Sequence, residues 1–369
     1  MFERFKKDPV LSIAWILAFV SAFIVRPDAK YVSYIDLRSL GILWGLMIII
    51  QGLKENSVFE KTGQTLLSKA KKGWQLSAVL IFMCFFGSML ITNDVALITF
   101  VPFAILILKN CGREDLMIPV IVLQTIAANL GSMSTPIGNP QNLYLYGTTG
   151  MSIGEFVGCM IPYTLVAAVL LVICIFFLPD KNKEIAVSSD FAVLKEFGSK
   201  IQIIIYLVLF AIALLSVLRV IPWYVMAGIV FVVVLGMDYK ILFRADYMLL
   251  LTFIGFFIFT GNMARIDAVK ELLGTLTEGR EFAVSVIASQ FVSNVPATLM
   301  LSGFTRDFKE LLIGVNAGGL GTLIASMASL ISFKFFSGEY KNKQGAYILV
   351  FTLLNIAFLA VFVGVHFIL

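Results

Sequence analysis

Long apolar runs separated by short clusters of charge set the rhythm of this chain. Runs near 9–25, 36–53, 117–147, 152–178, 201–218, 222–237, 246–262, 309–336 and 345–368 approach or exceed the length of a bilayer-crossing helix. Two further apolar stretches are interrupted by polar residues. One, about 74–108, is broken by Thr92-Asn93-Asp94; the other, about 281–305, is broken by Ser293-Asn294-Val295-Pro296. Two full crossings need roughly 40 apolar residues, and neither stretch supplies them. Both therefore read as re-entrant hairpins that enter and leave on one side. Irregular backbone at such depth is tolerated only where protein or a watery cavity surrounds it.

The pattern occurs twice. Gly45-Leu-Met-Ile-Ile-Ile-Gln-Gly-Leu-Lys54 aligns with Gly255-Phe-Phe-Ile-Phe-Thr-Gly-Asn-Met-Ala264. Asn129-Leu-Gly-Ser-Met-Ser-Thr-Pro-Ile-Gly138 aligns with Asn316-Ala-Gly-Gly-Leu-Gly-Thr-Leu-Ile-Ala325. These matches predict an all-α polytopic membrane protein with two inverted repeats. Each repeat has a re-entrant hairpin and a broken transmembrane helix, for about nine full spans plus two hairpins. The first repeat covers 1–180, with its hairpin at 74–108 and its broken helix at 117–147. Residues 181–220 form a linker and an extra span that sets the second unit off from the opposite side. The second repeat covers 221–369, with its hairpin at 281–305 and its broken helix at 309–336.

Composition agrees: 59% of the 369 residues are hydrophobic and 14% charged, far from a soluble domain. The net charge of +5 sits at helix ends, so topology explains it better than nucleic-acid binding does. With the N-terminus cytoplasmic, most Lys and Arg fall on one side, including the clusters Arg4-Phe-Lys6-Lys7, Lys69–Lys72, Lys195–Lys200 and Lys334–Lys343. That places the chain in a bacterial inner membrane with its C-terminus outside. The run after Lys7 reads as a retained first span rather than a signal peptide. Cys84, Cys111, Cys159 and Cys174 show no paired spacing, so neither a disulfide framework nor a zinc site is expected. No metal or catalytic role is expected for His366, the single histidine. An enzyme would need a nucleophile–base pair or a metal motif; neither Gly-x-Ser-x-Gly nor His-Glu-x-x-His occurs. Nor is a repeated carbonyl filter or charged ring visible, which argues against a channel.

The candidate chemistry lies in the interruptions. Gly131-Ser-Met-Ser-Thr-Pro136 and Gly318-Gly-Leu-Gly-Thr322 break otherwise spanning helices, because glycine weakens a helix and proline removes a donor. Freed carbonyls can hold a small cation, and half-helix N-termini can face an anion. One such break alone would read as a packing kink; two at corresponding positions, each after a polar-tipped hairpin, read as a site. Asp94 is an acid deep in an apolar segment, where a carboxylate costs roughly 2.5–3.5 kcal/mol on insertion scales. It is a candidate Na⁺ ligand or proton carrier, with helix capping as the plainer reading.

Gly131-Ser-Met-Ser-Thr-Pro-Ile-Gly-Asn-Pro-Gln-Asn142 resembles the Gly-Gly-x-x-Thr-x-Ile-Gly-x-Pro-x-Asn segment of the ion transporter superfamily. That group includes divalent anion:sodium symporters, citrate transporters, arsenite permeases and sodium/proton antiporters. Thr92-Asn93 and Ser293-Asn294 resemble the Ser/Thr-Asn start of that family's hairpin tips. The resemblance implies a substrate held between the tips, lined by Asn93, Thr135, Asn294 and Thr322. It implies a coupling ion, Na⁺ or H⁺, near Asp94, Thr92, Gly131, Ser134, Asn139, Ser293, Asn316 and Gly319. No other cofactor or metal is implied. The implied partners are a small anion or oxyacid (a di- or tricarboxylate such as citrate), membrane lipid and a second copy of the chain in a homodimer. Arsenite or antimonite efflux and Na⁺/H⁺ antiport are the alternatives. The chain departs from the dicarboxylate symporters in placing Asp94 and Val295 where a third Thr continues each tip. A carboxylate there repels a bare dianion unless a cation lies between them. No Arg or Lys lies deep in a site segment, so anion binding is expected to rely on amides, helix ends and the co-ion.

Overall fold

A computed structural model describes residues 9–68, 70–185 and 196–369. Arg4, Lys6, Lys7, Lys69 and Lys195, and the middle of the expected linker, lie outside the described residues. Among those described, the regular elements are helices, apart from one isolated antiparallel bridge between Lys72 and Glu184. Eight are long and apolar enough to cross a bilayer.

The first half runs α1 (Pro9–Ile24), α2 (Lys30–Tyr34), α3 (Leu37–Glu55), α4 (Val58–Leu67), α5 (Gly73–Leu90), α6 (Asn93–Asn110), α7 (Met117–Ser132), α8 (Pro140–Thr149) and α9 (Ile153–Phe176). Then come α10 (Lys200–Val217), α11 (Trp223–Leu242), α12 (Tyr247–Met263), α13 (Asp267–Thr277), α14 (Glu281–Val292), α15 (Asn294–Ser302), α16 (Phe308–Ala317), α17 (Met327–Glu339) and α18 (Gln344–His366). The interruptions at 91–92, 133–139, 293 and 318–326 fall where the sequence places polar residues and glycines.

Two layers follow from the packing. α5 lies along α7 and α14 along α16, so each hairpin rests on the first half of the broken helix that follows it. The approach is close. A Cβ on Gly131 would sit 2.1 Å from the Phe85 carbonyl oxygen, and one on Gly318 2.7 Å from the Ser289 hydroxyl. The flanking layer exchanges partners: α1 packs on α12, and α11 on α3. There too glycine permits contact, as where the Tyr206 ring lies against Gly52. Each half joins flank to hairpin by a short amphipathic helix, α4 or α13, and α13 leaves α12 through a 102° bend.

The structure differs from expectation at the first hairpin. Its arms are 18 residues each, about 27 Å of helix, and both count among the eight helices of crossing length. The polar break takes only Ile91 and Thr92 out of helix, leaving more of the stretch for the arms than a wide loop would. The second hairpin keeps short arms of 12 and 9 residues. Its whole turn is Ser293, at φ +73°.

Candidate functional site

Each hairpin tip is tied to the break beside it by the same bonds. The Asn93 backbone N–H donates to the Gly138 carbonyl at 3.1 Å, and the Asn294 N–H to the Ala325 carbonyl at 2.9 Å. The Thr135 hydroxyl donates to the Met89 carbonyl at 2.6 Å, and the Thr322 hydroxyl to the Gln290 carbonyl at 3.1 Å. These are the carbonyls freed at the end of each first arm, where helix termini need outside partners. Thr135 and Thr322 therefore act first as clasps between break and hairpin.

The two breaks also touch each other. Asn129 Oδ1 accepts from Asn93 Nδ2 and from Ser326 Oγ, both at 3.0 Å, while its Nδ2 reaches the Gly319 carbonyl at 3.4 Å. From the other side, Asn316 Nδ2 donates to Asn142 Oδ1 at 2.8 Å. Asn93, Asn129, Asn139, Asn294 and Asn316 are all at most 3% exposed. Around this crossing meet the N-termini of α6, α8, α15 and α17, the positive ends of four helices, together with the carbonyl ends of α5, α7, α14 and α16. The arrangement offers donors for an anion and acceptors for a cation without a lysine or arginine.

The remaining sequence-predicted residues fall into place around it. Ser134 Oγ donates to the Gly131 carbonyl at 2.8 Å, and Asn139 Nδ2 to Ser132 Oγ at 2.9 Å, so both brace the first break. Ser293 Oγ meets Asn294 Oδ1 at 3.4 Å. Thr92 is half-buried at the start of α6. Thr322 is exposed, whereas Thr135 is half-buried. Gly319 lies against the Asn294 amide. Sequence reasoning missed Asn129, Asn142, Ser326 and Gln290. Gln290 Nε2 donates to the Gly318 and Leu320 carbonyls at 3.0 and 2.9 Å. The repeated Asn129/Asn316 alignment held the signal for the first.

Asp94 stands apart from its neighbour Asn93. Its Oδ1 is buried and accepts no hydrogen bond. With Thr92 it lines a cavity of about 180 Å³, walled also by Gln51, Lys54, Arg244 and Asp246. Thus the flanking helices put two basic side chains on the wall of the cavity that Asp94 lines, and no site segment supplies either. Arg244 also pairs with Glu55, and Asp246 caps α12 through the Met248 and Leu249 N–H groups. In the second half, a cavity of about 200 Å³ lies in the matching place between α12 and α15. It is lined instead by Tyr34, Tyr144, Thr148, Thr260 and Ser302.

Comparison with known proteins gives concordant matches. Residues 1–308 match the family described as citrate transporter. An uncharacterized transporter of Methanocaldococcus jannaschii is 30% identical over 332 residues, 89% of each chain. The inner membrane protein YbiR of Escherichia coli is 27% identical over 322 residues, covering 85% of this chain and 84% of that one. The silicon efflux transporter LSI3 of Oryza sativa is 28% identical over 158 residues, 42% of this chain and 32% of its own.

Proposed function

Because the chain belongs to the citrate transporter family and is a multi-pass membrane transporter, we propose that it is a secondary active carrier of a small anion or oxyacid, with di- and tricarboxylates such as citrate as the leading candidates. Transport is coupled to Na⁺ or H⁺ through alternating access. The observation that carries this reading is the pair of hairpin tips, each bonded to a broken helix, with the breaks joined through Asn129 and Asn316. Residues 1–180 and 221–369 act as inverted repeats, joined by 181–220. Asn93, Asn294, Thr135 and Thr322 face the substrate. Asp94, Thr92, Gly131, Ser134, Asn139, Ser293, Asn316 and Gly319 serve the coupling ion. Asp94 is the proton or Na⁺ carrier, since its buried oxygen wants a cation or a proton. The membrane is a bacterial inner membrane, with the N-terminus cytoplasmic, and the carrier works as a homodimer.

Purified protein in liposomes is expected to show substrate flux driven by a Na⁺ or H⁺ gradient. The Asp94→Asn, Asn294→Ala double variant is expected to abolish it. Undiminished flux in that variant would remove these tips from the mechanism. A second reading, efflux of arsenite or antimonite or Na⁺/H⁺ antiport, draws on the unpaired carboxylate and on a relative named for silicon efflux. Tolerance assays in an efflux-deficient host separate the two: arsenite resistance supports efflux, and sodium or lithium resistance supports antiport.

A further inference from the structure

Between α4 and the first hairpin runs an open groove of about 620 Å³. Val58, Thr62 and Leu66, a single face of α4, form one wall. The other follows α5 from Ala78 to Ile91, together with Phe100 of α6. Every lining residue is apolar or glycine except Thr62, whose hydroxyl donates to the Val58 carbonyl at 2.8 Å. A polar ligand therefore finds nothing to bond along the groove. Phe86 and Leu90 stand more than half exposed within it, so apolar surface is left for an occupant from outside the fold. From Ala78 to Ile91 the groove follows about 20 Å of helix. One leaflet is about half of a 30 Å hydrocarbon core, so the groove is as long as an acyl chain is deep.

The two ends of the groove differ. Back toward its start, α5 leads to Trp74, on the same face as Ala78 and Phe82. Tryptophan favours the headgroup level, and Trp74 is partly exposed. Just before it, Lys71 and Lys72 are exposed. The Gly73 N–H donates to the Lys183 carbonyl at 3.1 Å, which brings a third exposed lysine to the same end. Of the nearby acids, Asp115 and Asp180 face Arg113, and Glu184 is the bridge partner of Lys72, so the lysines stay in excess. The second half is built otherwise. Beside α13 the cavity of about 530 Å³ is polar, and its acids, Asp267, Glu271 and Glu278, outnumber Lys270 and Arg306.

We propose that the groove binds an anionic phospholipid. One acyl chain lies along α5, and the headgroup phosphate sits at the hairpin base against Lys71, Lys72 and Lys183. An apolar channel with a basic mouth at the interface matches both parts of such a lipid. The chain's end reaches Ile91, next to Thr92 and Asn93, so the lipid braces the first hairpin tip and not the second. The proposal needs no particular cargo and stands apart from the carrier reading.

Full-length protein in detergent is titrated with dioleoyl phosphatidylglycerol, dioleoyl phosphatidylcholine or inorganic phosphate. Bound lipid is counted by native mass spectrometry, and the melting temperature is followed in parallel. Phosphatidylglycerol is expected to bind and to raise the melting temperature. Phosphatidylcholine is expected to bind about tenfold more weakly, and phosphate to leave the melting temperature unchanged. The double variant Lys71→Ala, Lys72→Ala is expected to lose the preference while keeping its lipid-free melting temperature. Ala78→Trp fills the groove and is expected to stop retention of both lipids. Equal binding of the two lipids, or an undiminished preference in the lysine variant, would overturn the proposal. So would a shift from phosphate equal to that from phosphatidylglycerol, which would leave the groove without a role. A disulfide between two copies through Ala78→Cys would also overturn it, since the groove would then be a seam between protomers. Should Ala78→Trp fail to fold, the lysine variant decides alone.

Discussion

The two hairpins share their bonds to the breaks and differ in nearly everything around them. The first has 18-residue arms, a carboxylate after its Asn, and a cavity with Lys54, Arg244 and Asp246. The second has short arms, Val295 in the place of Asp94, and a cavity of tyrosines and hydroxyls. Their bases differ too. Beside the first, Arg113 is 1% exposed, forks onto Asp115 at 2.9 and 2.7 Å and reaches the Pro179 carbonyl. Beside the second, His366 stacks on Phe282 at 3.8 Å, meets Glu310 at 3.2 Å and Tyr163 OH at 3.2 Å. What the halves hold in common is the framework that lets the fold tolerate a break: at each tip one carbonyl of the first arm takes a threonine hydroxyl, and the tip asparagine N–H bonds a carbonyl of the break. What they do not share is charge, and charge is where coupling and selection have room to differ.

The largest expected effect comes from moving the carboxylate. Asp94→Val is expected to reduce coupled flux by at least about tenfold, and adding Val295→Asp is not expected to restore it. Val295 is not among the residues lining the second cavity, and that lining holds no charged side chain. Full restoration, measured in the same liposome assay, would make the halves functionally equivalent.

A smaller effect is expected at the bases. Asp115→Ala strands the buried Arg113 guanidinium and is expected to cost about 3 kcal/mol. Arg113→Met is expected to cost less, because Asp115 is 39% exposed and stays in water. Glu310→Ala leaves only an imidazole that can be neutral, and is expected to cost under about 1 kcal/mol. Thermal unfolding in detergent ranks the three; a reversed order would mean that the second base is the firmer one.

The smallest effect is expected outside both hairpins. Arg265 donates to Asp28 at 3.0 Å and holds its carboxyl below the usual carboxylate range. A depressed folded value means the contribution is present above the unfolded value of about 3.9 and is lost as pH falls through the folded one. Both side chains are about one-third exposed or more, where solvent screens the pair. Asp28→Asn is therefore expected to lower the melting temperature only slightly from about pH 5 to 8, and that small difference to vanish in acid. A clear drop at neutral pH would show the pair to be tighter than its exposure implies.

The sequence by itself determined the helices, where they break and which residues sit at the breaks. Apolar length, glycine and proline act locally, so the interruptions at Thr92, Gly131–Pro136, Ser293 and Gly318–Thr322 were legible before any packing was known. The pairing of Thr135 with Met89 was not legible, because the carbonyl it serves carries no sequence signature. Nor was the arrival of Lys54 and Arg244 on the wall of the cavity that Asp94 lines: they lie at the ends of flanking helices, and nothing local in the sequence says where those helices dock. Only the tertiary structure decided these points, since a hydrogen bond or a cavity depends on which distant segments meet, whereas a helix depends on its own residues.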